Sequence, residues 1–452
     1  MINKNSDKKK DVLFVYPPFC TPASPPYSIT NLYSKIKANS NLVIGALDLN
    51  VLFHAQFFPK YKDYFKKTNT SWGDYKEVST RAREDFNNLY SKNNKLVVGG
   101  LLPDGFDLMF NHILLSNPKI VAFSIVYSSQ VFYAFALIKK LKERGIKTIV
   151  GGPAVSLPLK KESDLFFSDE VALFNYLNIS IKKEAYLDFS IYPLSNYFTP
   201  DIVLPLKTSS TCYYKRCAFC SHFSNKKYEE FSLEFIEDTI KNSGSKYFFL
   251  IDDMIHSGRL IDLAKIFKKY GCTWACQLKP TGDFTKEVLS ELKASGLKFV
   301  MWGVESGSNR ILNLMSKATK SEDVSLILKN SKESGIINTV YIMFGFPGES
   351  KDEFLQTLAF LKDNAGNIDL VLSSVFGLQK GSLVYANPDK YSVMDIVEEK
   401  RTLLDPKISF STSSGISTNE AFKLRKAHLK SLDKINKFPR KTNFFREHMF
   451  FY

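Results

Sequence analysis

Short apolar runs alternate with stretches of helical period through residues 205–390, and this alternation limits the possible folds more than any other feature of the sequence. The run 247–251 stops at Asp252-Asp253. The run 299–302 stops at Gly303-Val304-Glu305-Ser306-Gly307, and the run 339–343 stops at Gly345-Phe346-Pro347-Gly348. Runs at 273–277 and 369–375 belong to the same series, and helical patterns at 286–295 and 320–334 fall between runs. Parallel strands need crossover connections of about this length, so the repeat predicts a full or partial (β/α) barrel. Chemistry in such barrels gathers at the carboxyl ends of the strands. Asp252, Asp253, Glu305 and the glycines of the stretches just named fall at those ends.

A chain of 452 residues is too long for one ordinary core, and a second α/β unit precedes the barrel. A strand over 12–16 enters a loop with Pro17, Pro18, Pro22, Pro25 and Pro26, which proline keeps extended. A helix over 29–38 and an apolar stretch over 42–47, closing at Asp48-Leu49-Asn50, come next. Further on, a strand over 120–125, a helix over 131–144 and a strand over 148–150 ending in Gly151-Gly152-Pro153 make a strand–helix–strand unit. Such a unit pairs its strands in parallel and takes ligands near their carboxyl ends. Residues 192–208 have no clear period and mark the boundary. The expected organisation is a disordered tail over 1–10, an α/β domain over 11–194, a barrel over 205–390 and a basic, mainly helical region over 391–452.

Composition narrows the class. With 44% hydrophobic and 24% charged residues the chain is globular. No apolar run approaches the ~18 residues of a membrane span, and the polar, Lys-rich start lacks the apolar core of a secretory signal, so a cytoplasmic, non-membrane protein is expected. The net charge of +15 leaves several readings open: nucleic acid, an acidic peptide, anionic cofactors, or lysine-rich codon usage. The basic tail, from Lys423 to Arg446, reads as a solvated helix face, with a contact surface as the alternative.

Six cysteines are too few for a disulfide scaffold, yet Cys212, Cys217 and Cys220 crowd into nine residues. Chance supplies such a triplet somewhere in a chain of this composition roughly once in a thousand. Three thiolates suit an iron–sulfur cluster, or zinc with a fourth ligand, and His222 stands two residues beyond Cys220. Cys20, Cys272 and Cys276 read as core filler, since isolated cysteines are among the most buried residues.

The segment Thr211-Cys212-Tyr213-Tyr214-Lys215-Arg216-Cys217-Ala218-Phe219-Cys220 resembles the cluster loop of the radical S-adenosylmethionine (SAM) superfamily. Its four residues between the first two cysteines, rather than three, look like the variant in members with an N-terminal cobalamin-binding-type domain. Ile251-Asp252-Asp253, Gly303-Val304-Glu305-Ser306-Gly307, Lys317-Ala318-Thr319 and Gly345-Phe346-Pro347-Gly348-Glu349 resemble further elements of that family, in its order. The resemblance implies a [4Fe–4S] cluster on the three cysteines, with one iron left for SAM to chelate. It implies SAM contacts at Phe219, Asp252, Gly303, Glu305, Ser306, Gly345 and Pro347, with Gly303 and Gly307 letting the backbone approach the ligand. The product of SAM cleavage would be a 5′-deoxyadenosyl radical.

Residues 11–180 resemble the cobalamin-binding-type domain of the same subfamily, a flavodoxin-like or Rossmann-like fold. The resemblance places cobalamin near Tyr16, Pro17, Ser124, Tyr127, Ser128, Gly151, Gly152 and Pro153. Two departures stand out. The Asp-x-His-x-x-Gly motif that supplies an axial histidine is missing, with His54 outside its spacing, and the stretch Phe166-Phe167-Ser168-Asp169-Glu170 lacks the glycines usual after the last strand. The implied activity is cobalamin-dependent methylation of an unactivated carbon on a peptide or natural-product substrate, with a reductase, flavodoxin or ferredoxin as electron donor. Corrin-independent ring formation or peptide cross-linking, and a non-catalytic iron–sulfur redox sensor, are the competing readings. A tRNA-modifying enzyme of the methylthio type would want an N-terminal cysteine set and a C-terminal β-rich module, and nucleic acid is not an expected partner.

Overall fold

The computed structural model describes residues 9–221 and 227–452. Five parallel strands form the first sheet: β1 (Lys10–Tyr16), β2 (Ile44–Asp48), β3 (Pro118–Ser124), β4 (Lys147–Gly151) and β5 (Leu165–Phe167). They pair in the order β2-β1-β3-β4-β5, so the chain reverses direction across the sheet between β1 and β3. In open parallel sheets the crevice beyond that point takes the ligand. Val12, Leu13, Phe14 and Val15 are all buried, as both faces of a helix-covered parallel strand must be. Leu13, Val15, Val121 and Val150 share one core with the helices Trp72–Val98 and Val131–Glu143, while Val12, Phe14 and Ile149 face the other. Nothing in the sequence reading anticipated the 27-residue helix Trp72–Val98. Its apolar face is sparse, and its tertiary packing is what holds it.

Six more parallel strands follow in strict sequential order: β6 (Val203–Leu206), β7 (Tyr247–Leu250), β8 (Thr273–Leu278), β9 (Leu297–Glu305), β10 (Ile337–Phe344) and β11 (Leu370–Val375). β6 and β11 do not pair, so the sheet is a partial barrel with an open side. Trp274 and Trp302 are fully buried, and each has its indole N–H satisfied, by Ser295 and by Asn338 respectively. Cys272 and Cys276 are buried in the same core as these tryptophans.

The region from 391 onward contains an antiparallel pair, β12 (Val393–Glu399) and β13 (Lys407–Thr412), as well as the helix Thr418–Ile435. That helix packs along β11, where Arg425 donates to the Ser373 hydroxyl and carbonyl. The chain then turns into the barrel. Met449 and Phe450 pack against Val203, Phe249, Ala275, Phe299 and Met301, closing the lower half of the interior with apolar side chains. Among the described residues no helix is long and apolar enough to cross a membrane.

Candidate active site

The loop after β6 carries the three cysteines, and its backbone is fixed from both sides. Ala218 N–H donates to the Met315 carbonyl at 2.8 Å, and the Ala218 carbonyl accepts from Val384 N–H at 3.1 Å. Tyr214 donates its hydroxyl to the Ser316 carbonyl at 2.6 Å. Ala218 is fully buried in a small core with Phe346, Phe376 and Val393. The loop is therefore held by residues that follow it by roughly a hundred positions or more, and all three thiols open onto one cavity.

That cavity, of about 770 Å³, lies inside the upper half of the barrel. Phe219, Gly303 and Glu305 line it as the sequence reading expects. Glu305 holds a left-handed backbone (φ 70°), and its carboxylate accepts from the Lys317 ammonium at 3.0 Å. A Cβ at Gly303 would stand 3.0 Å from Glu305 Oε1 and 3.1 Å from Lys317 Nζ, so glycine there makes room for the ion pair. Burial works against the Lys317 ammonium, but the charges of Glu305, Cys217 and Cys212 outweigh it and its pKa rises. Burial pushes the Cys217 thiol up, while Lys317 and Lys279 pull it the other way.

Other expected SAM contacts fall outside the cavity wall. Asp252 is fully buried beneath the loop, accepting from Thr208 N–H and from the Thr208 and Ser209 hydroxyls. Burial pushes its pKa up to about 6, and the next residue, Asp253, is the one that faces the cavity. Ser306 is turned away, with its hydroxyl 3.1 Å from that of Thr357. Gly307 lets the chain pass the helix Lys351–Asp363, where a Cβ would meet Phe360 at 2.6 Å, and makes no approach to a ligand. Gly345 and Pro347 form a turn closed by the Glu349 carboxylate, which accepts from Gly345 N–H, and the turn packs against Ala421.

The cavity also contains residues that no motif announced. Lys279, at the exit of β8, is nearly buried, with its ammonium 3.3 Å from the centre of the Tyr214 ring. Burial, together with the charge of Lys317, lowers its pKa to about 8. A lysine at the carboxyl end of a barrel strand is a legible signal in retrospect. Arg83, Arg425, Arg440, Lys441 and Asn443 also line the cavity, and nothing local in the sequence marks them.

A second cavity, of about 550 Å³, lies at the carboxyl ends of β1 and β3. Tyr16 and Tyr127 line it, and Ser124 reaches its wall through a 2.8 Å bond to Ser28. Pro17, Ser128, Gly151, Gly152 and Pro153 do not. Gly152 (φ 115°) presses on the Ile125 carbonyl, which a Cβ would meet at 2.3 Å, so this glycine serves the close packing of two loops. His54 is fully buried among aromatic rings, with Nδ1 2.8 Å from the Asn50 carbonyl, and is not part of the cavity wall. Asp169 caps the helix Glu170–Tyr176, occupying the place of the missing glycines. Cys20 is half-buried, packing against the core on one side and lining this cavity on the other. The two cavities share Arg83, Arg440 and Asn443 in their walls.

Among the described residues no three His, Cys, Asp or Glu side chains are arranged to share one metal ion. A cubic cluster, which takes each thiolate at a separate corner, does not ask them to. His222 lies outside the described residues, as do residues 1–8 of the expected tail. In the second cavity the buried Arg446 Nε and Glu447 Oε2 have no hydrogen-bond partner, and polar amide groups of a corrin are of the kind that would satisfy them.

Residues 206–361 match the family model described as the radical SAM superfamily. A tRNA-2-methylthio-N(6)-dimethylallyladenosine synthase of Buchnera aphidicola is 31% identical over 137 residues, 29% of this chain and 30% of that protein. An uncharacterised methyltransferase of Pyrococcus horikoshii is 25% identical over 185 residues, 38% of this chain and 40% of that protein. The chain thus matches well under half the length of these relatives. The cobalamin-dependent SAM radical enzyme OxsB superposes with a TM-score of 0.64 at 14% identity, over 98% of this chain and 71% of its own. TsrM of Kitasatospora setae, a radical SAM methyltransferase solved with cobalamin and a [4Fe–4S] cluster, superposes with a TM-score of 0.58 at 12% identity, over 94% of this chain and 89% of its own. Residues 206–361 thus form a radical SAM domain, and the fold of the chain is similar to that of the cobalamin-dependent enzyme OxsB and of TsrM.

Proposed function

We propose that this chain cleaves SAM at a [4Fe–4S] cluster held by Cys212, Cys217 and Cys220, and with cobalamin methylates an unactivated carbon of a peptide or natural-product substrate. One observation carries the reading: the cavity onto which the three thiols open and the cavity at the carboxyl ends of the first sheet meet at a common wall. When bound, the cluster supplies the electron that breaks the sulfonium bond and the corrin supplies a methyl carrier.

The chain's own residues have separable tasks. Lys317 and Lys279 bring positive charge to the thiolates and to the carboxylate end of SAM. Glu305 offers a carboxylate to cationic or hydroxyl groups of SAM, and Phe219 shields the loop. Met301, Tyr341 and Met343 make the interior wall apolar, which keeps water from quenching a radical. Exposed Arg216 marks where the cluster loop reaches the surface, a place for a reductase, flavodoxin or ferredoxin to dock.

The test is anaerobic reconstitution with iron, sulfide and hydroxocobalamin, followed by desalting and incubation with SAM and dithionite. Equimolar retained corrin together with 5′-deoxyadenosine is the expected result. A corrin-independent ring-forming or cross-linking enzyme draws support from the close backbone contacts of Gly151 with Phe167 and of Gly152 with Ile125, where a nucleotide tail would be expected to enter. For it, 5′-deoxyadenosine appears without retained corrin. Absence of 5′-deoxyadenosine would return the chain to the class of redox sensors.

A further inference from the structure

The part of the barrel cavity remote from the cysteines is walled by four cations from three elements. Arg83 comes from the helix Trp72–Val98, Arg425 from the helix Thr418–Ile435, and Arg440 and Lys441 from the turn that follows. Only Arg440 is ion-paired among the described residues, to Asp433 at 2.7 Å. Arg425 is spent on the neutral Ser373 and Arg83 lies over the Phe444 ring at 5.8 Å, so neither charge is neutralised. The groups also repel one another. Burial and the charges of Arg83 and Arg440 lower the pKa of Lys441, with Glu84 offsetting part of this, and burial and Arg440 lower that of Arg425. Convergence of like charges on a cavity costs folding free energy, and an anion placed between them recovers it. The acids of the same cavity, Asp253 and Glu305, belong to the cysteine end, where Lys317 already answers Glu305.

We infer that Arg83, Arg425 and Lys441 bind an anionic group of the substrate, a carboxylate or a phosphate, and so point the rest of the molecule along the cavity toward the cysteine loop. Guanidinium groups suit this role because they meet either oxyanion in a two-pronged manner. Arg425 and Lys441 line the barrel cavity and not the second one, which assigns the anion to the substrate rather than to a corrin. The inference rests on the barrel cavity being the reaction chamber, as proposed above.

Calorimetric titration of the full-length, cluster-reconstituted protein with pyrophosphate in one arm and citrate in another tests it. At least one probe binds the wild type, and the arm that binds tells phosphate from carboxylate. Arg425→Gln/Lys441→Gln weakens binding at least tenfold and Arg83→Gln severalfold, while Arg425→Lys keeps most of it. Lys423→Gln/Lys426→Gln, at exposed positions of the same helix, binds like the wild type. Arg83 is exposed on its helix, so its variant reports even if the double variant fails to fold. The inference is overturned if neither probe binds, if the Lys423/Lys426 variant loses as much affinity, or if saturation with cobalamin abolishes pyrophosphate binding. Anion binding without 5′-deoxyadenosine formation would sink the proposed function and leave this site standing; the reverse result would sink only the site.

Discussion

Alternation along β9 decides which residues of a motif meet the cavity. Gly303 and Glu305 face inward, and Val304 and Ser306 face outward, as a two-residue period requires. A glycine-glutamate-serine element therefore mixes ligand-facing and packing positions, and the motif alone does not sort them. Its energetic centre is the Glu305–Lys317 pair, whose side chains are 12% and 8% exposed. Removing one partner of such a pair leaves an uncompensated charge, so Lys317→Met is expected to destabilise the protein by about 3 kcal/mol, with Glu305→Gln/Lys317→Met recovering most of the loss. Urea unfolding of the wild type, both single variants and the double variant checks this, and additive losses would show that the two charges are independent. The cysteines were legible because their spacing is local and improbable. Arg83 and Asn443 were not, because the cavity brings them together from elements 360 positions apart.

Among the elements, strands declared themselves better than their partners did. Parallel strands buried on both faces leave continuous apolar runs, and the sequence showed all of them except the short β5 and β6. The latter lies within the stretch 192–208 read as a boundary, because four residues with a proline leave no period to see. The pair β12 and β13 escaped notice because β12 is largely exposed and β13, although Ile408 and Phe410 alternate with polar residues, is short and only half-buried. The path of the last fifteen residues was equally silent, since no local pattern says that Met449 and Phe450 will enter the open barrel. Yet they complete its core. Phe450 packs edge-on against Phe299, with ring centres 5.1 Å apart, and Phe450→Ala is expected to cost about 3–4 kcal/mol in chemical denaturation. A loss under 1 kcal/mol would mean that the tail merely rests on the barrel. The position of Ala218, bonded to Met315 and to Val384, likewise predicts that loosening the segment after β11 disturbs the cysteine loop.

The whole molecule is joined at His448. Its Nε2 lies 2.9 Å from the Phe198 carbonyl in the connection between sheets, and its Nδ1 lies 3.1 Å from the Tyr75 hydroxyl on the helix Trp72–Val98. Burial lowers its pKa to about 4. A histidine kept neutral in the folded state favours folding above its ordinary pKa of 6.5, and loses that contribution as pH falls toward the folded value. The wild type should therefore lose stability relative to His448→Gln between about pH 6.5 and pH 4, by an amount on the order of 3 kcal/mol. Taking the difference between the two proteins cancels the opposing titration of Asp48 and Asp252, whose pKa values burial raises to about 6. Parallel pH-dependent melts decide it, and curves of the same shape would place the coupling elsewhere. The central claim, that Cys212, Cys217 and Cys220 hold a cluster with an iron open to SAM, is tested most directly by electron paramagnetic resonance of the dithionite-reduced, reconstituted protein. The account predicts a [4Fe–4S]⁺ signal whose g-values shift on adding SAM and which is lost in Cys217→Ala. A spectrum indifferent to SAM, or a protein that retains one zinc and no iron, would contradict it.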